Sequence, residues 1–343
     1  MRAGVIRGKH QFELAEVDEP VAVEDHAVVD ILRCGICGSD VHAYTEGWAY
    51  APGTCGHEWV GVVSQVGPGV TNVAEGDRVA GGVSPGCGRC DECRAGLPVY
   101  CSFARATYGG RLSPRNGGFA RAMAIHATRL CPVPAGLTDD DAALIEPATV
   151  ALHGVNQSRL RVGDVACVVG CGPIGLLNLQ VARIAGAGHV IAVEPDAGRR
   201  ERALAVGAHA ALAPGAELRE YLNDLTGGLR ADIAFDCAGV PTTLQQSVDM
   251  VRRGGSVCMI GVSGELATIS PMRWMGKEVS VDTAMLFTLD EMRTVGGLIA
   301  DGRLSVRPLQ DHTIGHDDLG RTIEDLAARR IDVVKVLVDP SAG

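Results

Sequence analysis

A thiol and an imidazole stand a short stretch apart near the start of the chain, in Cys34-Gly-Ile-Cys37-Gly-Ser39-Asp40-Val-His42 and Gly56-His57-Glu58. A catalytic zinc takes three protein ligands and leaves a position open for water or substrate. Cys37 and His57 have the donor atoms for two of those ligands. Ser39 follows the thiol by two residues and His42 follows Ser39 by three. A hydroxyl that both accepts and donates, followed by an imidazole with an unperturbed pKa of about 6.5, is what a proton leaving such a site needs.

A second cluster follows in Cys87-Gly-Arg-Cys90-Asp-Glu-Cys93-Arg-Ala-Gly-Leu-Pro-Val-Tyr-Cys101. Three cysteines at intervals of three, with a fourth eight residues on, can close four thiolates around one ion. An all-thiolate tetrahedral site is closed and structural, and free thiols so dense in a loop would oxidise. The remaining cysteines, Cys34, Cys55, Cys131, Cys167, Cys171, Cys237 and Cys258, read as small apolar fillers.

A third chemical segment is Gly170-Cys-Gly172-Pro173-Ile174-Gly175. It follows the apolar strand Asp164-Val-Ala-Cys-Val-Val169 directly and opens an apolar-periodic helix from Leu176 to Ala187. Gly170 allows the tight turn, Gly172 lets the backbone approach a pyrophosphate, and Gly175 lets helix pack on strand. The helix N-terminus favours the negative pyrophosphate. Glu194 ends the next strand, 19 residues after Gly175, where it can accept hydrogen bonds from ribose hydroxyls. A carboxylate there repels a 2′-phosphate and favours NAD over NADP; Arg199 and Arg200 are positioned to favour the opposite.

The elements that must position these residues fall into two patterns. Up to about residue 150, short β-rich runs such as Ala27-Val-Val-Asp-Ile-Leu, Glu58 to Gly67 and Asp77 to Val83 alternate with Gly and Pro, which points to a small barrel-like domain. Thr138 is set to cap a helix whose first turn is acidic. From about 163, strands alternate with helices, with further strands at His189–Val193, Ala231–Asp236 and Ser256–Gly261, which means a parallel doubly wound sheet. The boundaries expected are 1–150 for the first domain, with the cysteine lobe at about 86–102, then 151–285 for the nucleotide domain. Residues 286–343 return to the first domain and end in the strand Asp332-Val-Val-Lys-Val-Leu-Val.

Composition bounds the function. The chain has 343 residues, 46% of them hydrophobic and only 4% aromatic, with 45 glycines. That is an α/β chain too long for one core. The formal net charge of −10 argues against nucleic acid as a partner. No apolar run is long enough to span a membrane, and the N-terminus lacks an apolar signal region, so a cytoplasmic enzyme is expected. Twelve cysteines then point to metal rather than disulfides.

Taken together, Cys37-Gly-Ser-Asp-Val-His42, Gly56-His-Glu58, the four-cysteine lobe, Gly117-Gly-Phe, Glu146-Pro and the nucleotide loop resemble the zinc-dependent medium-chain dehydrogenases of the alcohol dehydrogenase superfamily. The resemblance runs nearly end to end. Ala143-Leu-Ile-Glu-Pro-Ala-Thr-Val-Ala-Leu-His153 is similar to the polyol (sorbitol-type) branch, which stands close to threonine dehydrogenases.

The resemblance implies a GroES-like zinc domain joined to a Rossmann domain, two zinc ions per chain, NAD as cofactor, and a homodimer or homotetramer. It implies a catalytic zinc held by Cys37 and His57, with Glu146 where alcohol dehydrogenases have the third ligand, a cysteine, and Glu58 as a nearby carboxylate. Whether Glu58 joins Cys37, His57 and Glu146 at rest is left open. Cys87, Cys90, Cys93 and Cys101 would hold the structural zinc, although many polyol dehydrogenases lack these cysteines. Gly261 and Val262 join the cofactor-binding residues, and the proton would pass from Ser39 through the cofactor ribose to His42.

The activity implied is oxidation of a secondary alcohol of a polyol- or cyclitol-like substrate lying in the cleft between the domains. Oxidation of an amino alcohol or aminocyclitol is the alternative within the class, and a non-catalytic NAD-binding protein the alternative outside it. Asp40 is a candidate to orient the His57 ring or to form a salt bridge. His153 reads as a packed helix residue, and His10, His26, His126 and His189 as positions without chemistry. Glu46 to Tyr50 read as the lining of the entrance.

Overall fold

The computed structural model describes residues 1–48, 50–82, 89–102 and 116–342. The chain divides into two compact units, Met1–Glu146 with Phe287–Ala300 and Gln310–Gly343, and Pro147–Leu286 with Asp301–Leu309.

The first unit is β-rich. Its strands are β1 (Arg2–Gly8), β2 (Gln11–Glu16), β3 (His26–Gly35), β4 (Glu58–Val66), β5 (Arg78–Gly81), β6 (Ala122–His126) and β7 (Leu130–Pro132), joined by the last two of the chain, β14 (Gln310–Gly315) and β15 (Lys335–Asp339). β1 and β2 form an antiparallel hairpin. The others form one sheet in the order β14-β15-β3-β4-β5-β7, with β6 also paired to β3. Val29, Ile31, Val63, Val79, Phe119, Met123 and Ile125 fill its core. Each such side chain contributes roughly 1.5–3 kcal/mol by leaving water. The long central pair β3 and β4 is the frame of the site: Cys34 opposes Trp59 and Gly35 opposes Glu58 across it.

β15 enters beside β3 antiparallel, with Leu337 opposite Gly35. This brings a segment from the end of the chain against the start of the cysteine motif. A short helix, Gly38–Glu46, leaves β3 with Cys37 as its N-cap. Thr138 caps the helix Asp139–Ala143 as the sequence suggests, its hydroxyl accepting from the Asp141 amide at 3.0 Å.

The second unit is a six-stranded, wholly parallel sheet. Its strands are β8 (Val165–Val169), β9 (His189–Val193), β10 (Ala210–Leu212), β11 (Ala231–Asp236), β12 (Val251–Met259) and β13 (Ser280–Thr283). They are ordered β10-β9-β8-β11-β12-β13. Counted within the unit this is 3-2-1-4-5-6, the doubly wound nucleotide-binding order, with its switch point beside β8. Strands buried on both faces need continuous apolar runs. Ala166 to Val169 and Val190 to Val193 supply them, and all are buried.

Candidate metal centre and nucleotide loop

The metal centre is built where β3 ends, β4 begins and β15 passes. Among the described residues, Cys37, His57 and Glu58 place a ligand atom each within 4.8 Å of one another. The backbone of the motif is locked first. The Cys37 amide donates to Asp40 Oδ2 at 2.9 Å, which closes the first helical turn and leaves the Cys37 sulfur at a helix N-terminus, where the dipole favours negative charge.

The glycines of Gly117-Gly-Phe hold the His57 segment from behind. A Cβ on Gly117 would collide with the Cys55 carbonyl, and one on Gly118 would press on the Gly56 carbonyl at 2.8 Å. Gly56 itself takes a left-handed φ of 72° against Phe119. Gly35 is required for a different reason: the Glu58 carboxylate lies where its Cβ would be.

His57 Nδ1 lies 3.0 Å from the Thr54 carbonyl and 3.3 Å from the Tyr50 hydroxyl. A carbonyl only accepts, so Nδ1 carries a proton and Nε2 is the nitrogen a metal can take once it is deprotonated. The ring is therefore oriented by Thr54 and Tyr50. Asp40 acts one step further out, accepting from the Tyr50 hydroxyl at 3.1 Å and from the Gly56 amide at 3.4 Å. Burial opposes the charged form of His57, but Cys37, Asp40 and Glu146 outweigh it and hold its pKa well above the ordinary value. Burial lifts the Asp40 carboxyl, with His57 and the Cys37 amide opposing.

Glu58 is 1% exposed and does not stand alone. Lys335 Nζ reaches both its oxygens, at 2.8 and 2.6 Å, and the Ile36 carbonyl at 3.0 Å. Burial works against the Lys335 ammonium, yet Glu58, Cys37 and Glu146 together raise its pKa. Sequence reading missed Lys335. The signal was a single lysine inside an otherwise apolar strand, Val333-Val-Lys335-Val-Leu-Val, since a buried lysine needs a partner. Glu146 is buried and interacts electrostatically with His57, Glu58, Lys335 and Asp40, although it is not in the set that meets the 4.8 Å distance. Burial raises its carboxyl pKa, Glu58 and Asp40 add to the rise, and His57 and Lys335 oppose it.

The proton-carrying pair is separated. Ser39 Oγ lies 3.1 Å from the Tyr50 hydroxyl. His42 instead bonds Glu46 at 2.7 Å and stacks on Trp48 with ring centroids 5.3 Å apart. No direct hydrogen bond joins Ser39 to His42 among the described residues. Tyr50 is thus a hub, touching Ser39, Asp40 and His57; burial and Asp40 push its own pKa up.

In the cysteine lobe, Cys90, Cys93 and Cys101 also bring their sulfurs within 4.8 Å of one another. Cys90 and Cys101 are 3.7 Å apart. Cys87 lies outside the described residues. Both donor sets fit zinc: one mixes thiolate, imidazole and carboxylate, and the other is thiolate throughout. Six of the seven filler cysteines are buried, and Cys237 is half-buried. Burial pushes the thiols of Cys167 and Cys171 up to about 12 and those of Cys55 and Cys131 to about 11.

In the second unit the loop after β8 has the form a dinucleotide needs. Gly170 takes φ 87° with Ala238 packed against it. A Cβ on Gly175 would collide with the Gly170 carbonyl, whereas one on Gly172 would meet nothing within 4 Å. Space in front of the middle glycine is what a pyrophosphate would occupy. Pro173 and Ile174 form the first turn of the helix Pro173–Ile184. Glu194 accepts from the Cys171 amide at 2.7 Å and the Asp196 amide at 3.0 Å. Arg200 donates to the Glu194 and Pro195 carbonyls, and the Arg199 amide is capped by Asp196. Gly261 follows β12 and donates to the Asp236 carbonyl; Val262 beside it is exposed. His153 is buried in the helix Ile145–Gln157.

Comparison with known proteins agrees with this geometry. Residues 23–135 match the alcohol dehydrogenase GroES-like domain and residues 173–301 the zinc-binding dehydrogenase family. A 2-dehydro-3-deoxy-L-galactonate 5-dehydrogenase of Pseudoalteromonas atlantica is 31% identical over 315 residues, covering 89% of this chain and 91% of its own. A sorbitol dehydrogenase of Bacillus subtilis is 31% identical over 273 residues, covering 77% and 76%. A zinc-binding dehydrogenase of Sinorhizobium meliloti, solved with NADP, superposes with a TM-score of 0.87 at 31% identity, covering 99% of each chain. The chain belongs to the zinc-dependent medium-chain dehydrogenases, in their polyol-type branch. It is an alcohol or polyol dehydrogenase that works with zinc and a nicotinamide cofactor. No helix among the described residues is long and apolar enough to cross a membrane.

Proposed function

We propose that the enzyme oxidises one secondary hydroxyl of a small polyhydroxylated substrate, a polyol, cyclitol or sugar acid, to a ketone with NAD as the preferred acceptor. The observation that carries this reading is the part-buried Cys37–His57–Glu58 cluster with the buried Glu146 beside it, a donor set with carboxylates rather than a second thiolate. The sorbitol and dehydro-deoxy-galactonate dehydrogenases among the relatives support the substrate class.

Cys37, His57 and Glu146 would hold the catalytic zinc, with Glu58 kept close by Lys335. When bound, zinc supplies a Lewis acid that stabilises negative charge on the substrate oxygen. Ser39 receives the hydroxyl proton at Oγ and hands on its own, and Tyr50 fixes the direction of that hydroxyl. His42, part-exposed on its helix and bonded to Glu46, releases the proton to water. Hydride transfer is the nicotinamide's own chemistry.

Glu194 supports NAD over NADP, because its carboxylate is buried at the loop and a 2′-phosphate there would meet negative charge. Cys90, Cys93 and Cys101 support a second, structural zinc, completed by Cys87. A homodimer or homotetramer is supported by the free edge at β13, flanked by exposed Met272, Met275 and Met285.

The test is a screen of sugar alcohols, cyclitols, sugar acids and amino alcohols with NAD and NADP, following NADH absorbance, with elemental analysis of the same sample. Turnover of a polyhydroxylated secondary alcohol at two zinc ions per chain is expected. Turnover confined to amino alcohols or primary alcohols would overturn the substrate class.

A further inference from the structure

The second unit carries a cavity of about 1000 Å³ remote from the nucleotide loop. Cations from four elements converge on it. Arg219 comes from the helix Ala216–Thr226, and Arg230 immediately precedes β11. Arg252 and Arg253 lie in the first turns of β12, and Arg273 and Lys277 on the helix Pro271–Lys277. β11 and β12 run parallel, and their far ends lead to Cys237 and Gly261 on the nucleotide side. The cavity therefore lies at the N-terminal ends of these strands, the opposite end of the sheet from the cofactor loop.

The charge is not balanced locally. Asp249 pairs with Arg273 at 2.9 Å and Asp232 with Arg252 at 2.6 Å. That leaves four cations without a carboxylate. Arg230 and Lys277 are held only by backbone carbonyls, Arg230 by that of Asp249 and Lys277 by those of Val248, Asp249 and Val251. Carbonyls orient a cation but do not neutralise it. The guanidinium groups of Arg219 and Arg253 have no hydrogen-bonding or ionic partner among the described residues.

The mutual repulsion registers on Lys277, whose pKa burial lowers and Arg230 and Arg273 lower further, against the pull of Asp249. Arg230 also adopts a left-handed φ of 77°, a conformation that costs energy in a residue with a Cβ. Capping of the helix Thr243–Met250 accounts for Lys277, since cations favour helix C-termini. It also accounts for Arg230, which meets the Asp249 carbonyl at the same helix end, but not for Arg219 or Arg253. In a chain with a net charge of −10, six of the 31 lysines and arginines line one concave site, and clustered positive charge raises the local concentration of an anion.

We propose that this cavity binds a small polyanion carrying at least two phosphate groups. Guanidinium forks match phosphate oxygens in pairs, and the volume suits a metabolite rather than a single ion.

The experiment is titration calorimetry of the zinc- and NAD-loaded enzyme with fructose 1,6-bisphosphate as probe, so that the nucleotide loop is already filled. One site per chain is expected, weakening when salt is raised. Fructose 1-phosphate is expected to bind at least ~10-fold more weakly, as for the loss of one set of charge-assisted bonds. The double variant Arg219→Gln/Arg253→Gln removes two exposed, unpartnered cations, so folding and basal turnover are expected to persist while bisphosphate affinity falls at least ~10-fold. Absence of binding at low salt, binding only when NAD is omitted, equal affinity for the monophosphate, or unchanged affinity in the double variant would each overturn the proposal.

Discussion

The first unit holds two clusters of metal-ligating residues, built on opposite plans. Cys90, Cys93 and Cys101 sit in one short loop and present only sulfur. Cys37, His57 and Glu58 come from two strand ends and a helix cap, present three different donor types, and are surrounded by further ionisable groups: Asp40, Tyr50, Glu146 and Lys335. A closed all-thiolate site has nothing left to do but hold the loop. The mixed site keeps protons, charges and a carboxylate in reserve. The two plans predict that perturbing one cluster changes chemistry and perturbing the other changes stability.

Exchanging one thiolate in each cluster separates them most widely. Cys37→Ser is expected to lower kcat at least ~10³-fold, the several kcal/mol of charge stabilisation a metal contributes, with the melting temperature little changed. Cys90→Ser is expected to lower the melting temperature and release one zinc while the remaining folded enzyme keeps its kcat. Equal loss of turnover and stability in both variants, by steady-state kinetics and calorimetry, would erase the distinction.

The next largest effect tests the reserve charges. Lys335→Met leaves the buried Glu58 carboxylate without a counter-charge, at a cost of about 3–5 kcal/mol. The cost should be smaller in the zinc-loaded protein, where a cation lies close to Glu58, and the added change Glu58→Gln should recover much of it. Denaturant unfolding of the three proteins, with and without chelator, checks this. A Lys335→Met protein as stable as the parent in both states would mean that the pair does not matter.

Ser39→Ala is expected to reduce kcat ~10²-fold with full zinc occupancy, the loss typical of a positioned acid–base group. His42→Ala should cost less, because water replaces an exposed carrier, and should shift the pH–rate profile. Near-normal turnover of Ser39→Ala at every pH would remove the relay from the proposed function.

The comparison also explains what was legible in the chain. The cysteine lobe is local, so its spacing alone announces it. The nucleotide loop is equally local, and Gly170, Gly172 and Gly175 each meet the steric surroundings their roles require. Strands buried on both faces, β8, β9 and β11, stood out as apolar runs. The short strands β10 and β13, of three and four residues, carry too little pattern to read. What the sequence could not display was pairing across great separation. Lys335 meets Glu58 across 277 positions, through the register of β15 against β3. Tyr50 was read as entrance lining because its three polar contacts depend on how the chain turns between β3 and β4.

A smaller effect concerns zinc affinity and pH. His57 in the metal-free protein has a raised pKa, so near neutrality it carries a proton that zinc must displace. Affinity at the mixed site should therefore rise with pH, by up to ~10-fold per unit for the one proton released at His57, and level off once pH exceeds the His57 pKa. Chelator competition across the neutral range measures it. Affinity that falls as pH rises would reverse the sign and exclude His57 as the group displaced.

The smallest effect lies at the nucleotide loop and depends on one carboxylate. Glu194 is buried, and both its oxygens already accept backbone hydrogen bonds, from Cys171 and Asp196. Its charge is thus fixed in place before any cofactor arrives, and a 2′-phosphate would have to approach it without displacing it. Arg200 is committed to two carbonyls, which limits how far it can turn toward a phosphate. Catalytic efficiency should accordingly be higher with NAD than with NADP. Glu194→Ser removes the repulsion and keeps a hydrogen-bonding group, so the ratio should narrow by about 10-fold, one charge–charge contact near a partly solvated surface. If the unmodified enzyme used NADP as well as NAD, the arginines would outweigh Glu194, and Arg199→Gln would then be the variant that restores discrimination.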